Sequence, residues 1–235
     1  MHSKSPIAYL QASLGDLLSI LTCILLYPFP DRKVDPSRPG PSVILIHGFI
    51  HNTSPWRWFR YQLQKKGMGS VNTVYYPSLL VNVPAASLCV KDKIAFLQEK
   101  GEPYPAIIIG HSLGGLVALE YALEHAPKGK TTTVIALGAP LKGTNLANIA
   151  VGPSGPEMRP NSPFLQSLHE RLHKAPHIRF LALFSEVDGV IRPPENAFWS
   201  DFQHQSFPNL GHVQFLFSPK VVDAAVNFIN STGPH

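Results

Sequence analysis

The sequence predicts an α/β domain, a mainly parallel sheet with helices on both faces, preceded by an N-terminal hydrophobic helix. Three observations carry that expectation. Short runs that are apolar throughout recur along the chain, as strands buried on both faces require. Segments of helical composition separate them, so that consecutive strands lie parallel. A run of 23 residues from Ile7 to Phe29 carries a single charged residue, Asp16. With 235 residues, 44% of them hydrophobic, the chain is enough for one sizeable core and little more.

The elements follow in order. Ile7, Leu10, Leu14, Leu17, Leu18, Leu21 and Leu25 form one helical stripe, with Gln11, Asp16 and Ser19 away from it. A cleaved signal peptide fits poorly, because only Lys4 is basic, Asp16 abuts the apolar run and no small-residue cleavage site follows. A lipidated Cys23 fits no better, since Thr22 stands where a small residue is expected. Three destinations remain open for such a helix: across a bilayer, along its surface, or against the domain. Residues 1–30 are therefore expected to form a helix and possible membrane anchor, with the protein membrane-associated through it and otherwise cytoplasmic. Pro36, Pro39 and Pro41 mark residues 31–41 as a stiff linker. The domain is expected over residues 42–235.

Within it, Ser42–His47 reads as a strand, Trp56–Lys66 as a helix, Val71–Tyr76 as a strand and Ala85–Lys100 as a helix. Ala106–Ile109 is a strand, Leu116–His125 a helix and Thr131–Leu137 a strand. An insertion at about 140–177 precedes the strands Ile178–Phe184 and Gln203–Phe207, and Pro219–Ile229 closes the chain as a helix. Charged residues make up 15%, against a usual share of about 25%. The net charge of +5 is scattered, its longest basic runs being the pairs Arg32-Lys33 and Lys65-Lys66. That excludes nucleic acid as the expected partner and leaves mild attraction to an anionic membrane surface. Cys23 and Cys89 sit among apolar residues as two buried free thiols, with no disulfide framework and no C-x-x-C metal or redox pattern.

Chemistry concentrates at Gly110-His111-Ser112-Leu113-Gly114, a G-x-S-x-G pattern between a strand and a helix. Such a turn strains the serine backbone and needs flanking glycines to close. Its hydroxyl then projects above the sheet as a nucleophile, which needs a base held in the right tautomer. The chain order Ser…Asp…His of this turn type places the base late, and His212 lies in a loop between the last strand and the last helix. His204 falls inside a strand, while His169, His173 and His177 belong to a polar helix and its exit. For the acid, Asp188 in the loop after Ile178–Phe184 is preferred to Glu186 and, more distantly, Asp201. Backbone N–H groups of Leu113 and of Phe49 are the expected oxyanion hole. His47, in the same loop as Phe49, is read as loop-shaping rather than a second base and stands among the substrate-pocket candidates.

Taken together, "ILIHGF", "GHSLGG", "SEVDGV" and "LGHVQFLFSP" resemble the α/β-hydrolase superfamily, and within it the small bacterial lipases and esterases. "LGAPLKGT" and "RPNSPFLQSL" are also similar to segments of lipase-like members, and the resemblance spans Ser42 to Asn230. It implies the α/β-hydrolase fold, a triad of Ser112, Asp188 and His212, and no metal or organic cofactor. The expected function is a serine hydrolase that cleaves carboxylic, lipid-like acyl esters through an acyl-enzyme. A thioesterase or acyltransferase on the same triad, cofactor-free oxidation or C–C cleavage, and a membrane-tethered non-catalytic binding protein are the alternatives. In the insertion, Ser162 can cap a helix with Pro163 at its first position, placing Phe164, Leu165, Leu168 and Leu172 on one face. That face is either a lid or acyl-chain wall or an ordinary stripe buried in the domain.

Overall fold

The computed structural model describes residues 5–30, 39–127 and 129–231. Most of the expected linker, 31–38, lies outside the described residues, as do Lys4 and His235. Helix α1 (Pro6–Leu26) comes first, followed by β1 (Val43–Ile46), α2 (Trp56–Lys65), β2 (Val71–Val74) and α3 (Val83–Glu99). Then come β3 (Ile107–His111), α4 (Leu113–Glu124), β4 (Thr132–Leu137), a short α5 (Ser154–Glu157) and α6 (Pro163–His173). β5 (Ile178–Ser185), β6 (Gln203–Phe207) and α7 (Pro219–Asn230) complete the domain.

All six strands run parallel in the order β2-β1-β3-β4-β5-β6. β1 has β2 on one side and β3 on the other, so the strand order reverses there. A crevice opens outside the carboxyl ends at such a point, where open α/β sheets bind ligands. Ile46 pairs with Gly110, so the loop after β1 and the turn after β3 leave the sheet side by side.

Alternation along the strands decides which core each side chain joins. Val43 and Leu45 of β1 point to one face, with Trp56, Phe59 and Leu63 of α2 and Val221, Val222 and Ala225 of α7. Ile44 and Ile46 point to the other, with residues of α3, α4 and α6. Each fully buried large apolar side chain contributes about 1.5–3 kcal/mol relative to exposure. That burial holds the carboxyl ends of the strands in fixed register.

Helix α6 starts as its sequence suggests, with Ser162 Oγ accepting from Leu165 N at 3.3 Å. Leu165, Leu168 and Leu172 are buried in the core that includes α4, and Phe164 packs against it. Arg171 ties α6 to α4 through Glu120 at 2.6 Å and Glu124 at 2.5 Å. Of the two readings of this stripe, the structure shows the buried one, the leucines packing in the core that includes α4.

Helix α1 behaves the opposite way. It is 21 residues long with a mean hydropathy of 1.6, enough by length and composition to cross a membrane. Yet it turns its small and polar side, Ala12, Gly15, Asp16, Ser19 and Cys23, to the domain. Its apolar stripe faces outward, with Leu10, Leu14, Leu17, Leu18 and Leu25 all exposed. Burial pushes the Cys23 thiol up to about 12, which leaves it an inert packing group.

Candidate active site

β3 must turn directly into α4, and Ser112 takes the turn at φ +55° and ψ −126°. A residue with a Cβ held at positive φ stores about 1–3 kcal/mol of strain. The neighbours show how the turn closes. A Cβ on Gly110 would run into the backbone of Gly114, and one on Gly114 into the carbonyls of Ile46 and His47. Ser112 N donates to Leu137 O at 2.8 Å, and Ser112 O accepts from Gly115 N at 2.9 Å, so the strained residue is pinned on both sides. The helix begins at Leu113 rather than at the expected Leu116. The Leu113 N–H thus lies in the first turn of α4, where a helix has no internal acceptor for it and its dipole favours negative charge.

The loop after β1 passes directly alongside. A Cβ on Gly48 would sit 3.0 Å from Ser112 Cβ and 3.1 Å from His111 O, so Phe49 follows a residue in contact with the serine. Ile50 comes next at φ +51°, an outlier for a β-branched residue, and its N–H donates to Ser78 Oγ at 3.0 Å. His47 lies beneath this loop. Its Nδ1 faces Gly48 O at 2.9 Å, its Nε2 accepts from Tyr76 N at 3.3 Å, and its ring stacks on Tyr76 at 4.5 Å. With both nitrogens engaged by backbone, the ring is neutral, and burial pushes its pKa down to about 4. These contacts tie His47 to the backbone of its own loop and to Tyr76.

His212 and Asp188 meet across 24 residues of chain, His212 Nδ1 donating to Asp188 Oδ2 at 2.8 Å. The other carboxylate oxygen accepts from Val190 N at 2.7 Å and Ile191 N at 2.9 Å, which fixes its plane. Both side chains are buried, Asp188 at 1% exposure and His212 at 5%. Burial alone would lower the His212 pKa, but the charge and hydrogen bond of Asp188 lift it above the ordinary imidazole value. Burial would raise Asp188, but His212 and the two N–H donors hold it below the usual carboxylate range. Gly138, at φ +54° just after β4, borders both side chains at 3.4 and 3.5 Å from where its Cβ would stand. The residue before it, Leu137, carries the carbonyl that Ser112 N bonds. Leu137 and Gly138, at the carboxyl end of β4, thus link Ser112 on one side to the Asp188–His212 pair on the other.

The competing residues lie elsewhere. Asp201 accepts from His169 Nε2 at 2.8 Å and His173 Nε2 at 2.5 Å, in the segment that enters β6 at the amino-terminal edge of the sheet. These three side chains could together hold a metal ion, at the far edge from Ser112. His204 is exposed on β6 and stacks on Phe198 at 4.4 Å, while Glu186 is half-buried one residue past β5.

A profile of the alpha/beta hydrolase family matches residues 43–226. The chain belongs to that family. No curated protein sequence matches it. Among solved structures, it is similar to the Bacillus licheniformis lipase BlEst2 in its propeptide form, at a TM-score of 0.67 and 15% identity over 87% of this chain and 53% of that one. Aspergillus fumigatus lipase B gives 0.67 and 18%, over 87% and 56%. This alpha/beta hydrolase therefore spans little more than half the length of either. A membrane phospholipase A, described as a bacterial virulence factor, gives 0.53 and 17% over 94% and 92%. At these identities the likeness is one of fold.

Three groups around His212 of this alpha/beta hydrolase escape a sequence reading centred on the expected triad. His111 Nε2 donates to His212 O at 3.0 Å, its ring 4.8 Å from that of His212. Burial, and then the charge of His212, keep it well below the ordinary imidazole pKa and so neutral. His51, after β1, is likewise lowered by burial and by His212. Asp16 of α1 is the third. The available signals were two histidines inside the very segments that shape the turn, and a single carboxylate in an otherwise apolar helix.

Proposed function

We propose that the protein is a serine hydrolase that cleaves carboxylic esters of lipid-like acyl chains, with Ser112 as nucleophile. The strongest support is a strained Ser112 whose N–H bonds Leu137, together with a buried Asp188–His212 pair at 2.8 Å that borders the next residue, Gly138. In this reading His212 Nε2 takes the Ser112 proton as Oγ attacks the ester carbonyl. Asp188 holds the Nδ1–H tautomer and stabilises the imidazolium that forms. The N–H groups of Leu113 and Phe49 receive the oxyanion, each such donor being worth about 2.7–4 kcal/mol. His212 then protonates the departing alcohol, and water attacks the acyl-enzyme with His212 again as base.

The acyl chain has an apolar path in this proposal. A groove of about 350 Å³ runs between the second half of α1 and the loop after β1, lined by Ile20, Cys23, Ile24, Tyr27, Ile50 and His51. The outward stripe of α1 borders it and lies along a lipid surface, apolar side down, as an in-plane amphipathic helix does. A single transmembrane path for α1 suits the molecule less, since Asp16 at its middle is bonded to the domain.

The test is kcat/KM on p-nitrophenyl esters from acetate to palmitate, with Ser112→Ala in parallel and fluorophosphonate labelling of both. Long-chain preference, with label and activity lost in the variant, is expected. An optimum at acetate would remove the lipid part of the reading, and equal inertness without labelling would remove the reading itself. Flotation with phosphatidylglycerol-containing vesicles, lost on Leu14→Ser/Leu18→Ser/Leu25→Ser, checks the membrane surface.

A further inference from the structure

The main chain of His212 is clamped from two sides. His111 of β3 holds its carbonyl, and the N–H donates to Asp16 Oδ2 at 2.7 Å. Asp16 Oδ1 also accepts from Val213 N at 2.7 Å and Gln214 N at 3.1 Å, the first donors of the 3-10 turn Val213–Phe217 that follows. One carboxylate from a residue 196 positions earlier thus satisfies three consecutive amides beginning at the base.

Two glycines clear the approach. A Cβ on Gly211 would fall on the Asp16 carboxyl group, and a Cβ on Gly15 on the Gln214 side chain. A glycine inside a helix costs about 1 kcal/mol relative to alanine, so its place here is explained by the closeness of the contact. Gln214 Oε1 also accepts from Gly211 N at 2.8 Å, which stiffens the same loop. Farther along, Tyr27 O at the end of α1 accepts from Asn52 Nδ2 at 2.9 Å, in the loop that carries Phe49. At the other end Gln11 Oε1 accepts from Asn209 Nδ2 at 3.3 Å. Helix α1 therefore ties the histidine loop to the oxyanion loop, although it belongs to neither hydrophobic core.

We propose that Asp16 is a positioning residue for His212, and that α1 is consequently a working part of the active site rather than a detachable anchor. This rests on the reading of His212 as the base. Asp16 sets where the imidazole sits through the backbone, and its negative charge favours the imidazolium formed in the transition state. Electrostatics agrees in direction, since Asp16 is among the groups that raise the His212 pKa, after Asp188. Among the described residues, the ionisable groups that face His212 are Asp188 from the loop after β5, His111 from β3, His51 from the loop after β1 and Asp16 from α1. Burial raises the pKa of Asp16 itself, while the three N–H donors act against that.

The experiment uses the full chain carrying Asp16→Asn, with Gly211→Ala as second variant. Asparagine keeps the shape but must turn its NH2 group toward one set of donors, and it removes the charge. Alanine at Gly211 keeps the charge and pushes the carboxylate away. For each, the His212 ring pKa is read by NMR titration, beside kcat, KM and the acid limb of the kcat/KM profile on a soluble short-chain ester. Expected is a fall of the His212 pKa and of the acid limb by about half a unit or more. It accompanies a loss of about tenfold or more in kcat at little change in KM. A variant that melts earlier but keeps the wild-type His212 titration and kcat would make Asp16 a structural cap only and overturn the proposal. If the wild-type chain proved inert on esters, the function reading would fail separately, and the NMR titration would still decide the role of Asp16. Should Asp16→Asn not fold, the same readouts on Gly211→Ala decide it.

Discussion

Asp188→Asn is the most informative single change. Asparagine is nearly isosteric, and the site dictates how it must sit. Oδ1 of Asp188 faces two backbone donors, Val190 N at 2.7 Å and Ile191 N at 2.9 Å. An amide NH2 placed there would oppose two N–H groups, so the asparagine oxygen takes that side. Its NH2 is then left 2.8 Å from His212 Nδ1, which can only accept from it. The proton moves to Nε2, the atom that receives the Ser112 proton in the proposed mechanism. A base held in the wrong tautomer loses about 10⁴-fold in kcat, or roughly 5.4 kcal/mol of transition-state stabilisation. Stability should change little, because both buried donors keep an acceptor. Asp188→Ala orphans them instead, at about 1–3 kcal/mol each. The assay is ester turnover under saturating substrate beside a thermal melt of both variants. Turnover by Asp188→Asn within tenfold of wild type, with the melt unchanged, would refute the tautomer reasoning.

Other outcomes follow from the same geometry. The kcat/KM profile should fall on the acid side with a limb above the ordinary imidazole value of 6.5, since the proposed base, His212, works in its neutral form and Asp188 raises its pKa; a limb below that value in a pH-rate series would contradict it. Gly114→Ala should abolish folding or activity, because its Cβ meets the fixed carbonyls of Ile46 and His47, whereas Gly189→Ala, with open space around it, should lie within about 0.5 kcal/mol of wild type in a urea melt. Leu168→Ala should cost about 2–5 kcal/mol without altering acyl-chain preference, as measured by urea melts and the ester series. Ile24→Trp, which fills the groove beside Ile50, should move the preferred ester toward shorter chains in that series.

The sequence by itself determined what depends on neighbours in the chain. Strand and helix alternation follows from hydrophobic period, and the β3–α4 turn from glycines whose missing Cβ atoms let Ser112 reach φ +55°. The cap of α6 by Ser162 is equally local. Chain order also singled out His212 and Asp188 as candidates, but only the packing of β5 and β6 beside β4 brings their atoms to 2.8 Å. An apolar stripe says that a face will leave water, not what it will meet. The stripe of α6 meets α4, while that of α1 is left outside because its small, polar side fits the histidine loop. Asp16 shows the difference most plainly. In the sequence it is a flaw in a hydrophobic segment; in the fold its charge is satisfied by three amides 196 to 198 residues away. Contacts at that separation are decided by tertiary packing, because no local period encodes them.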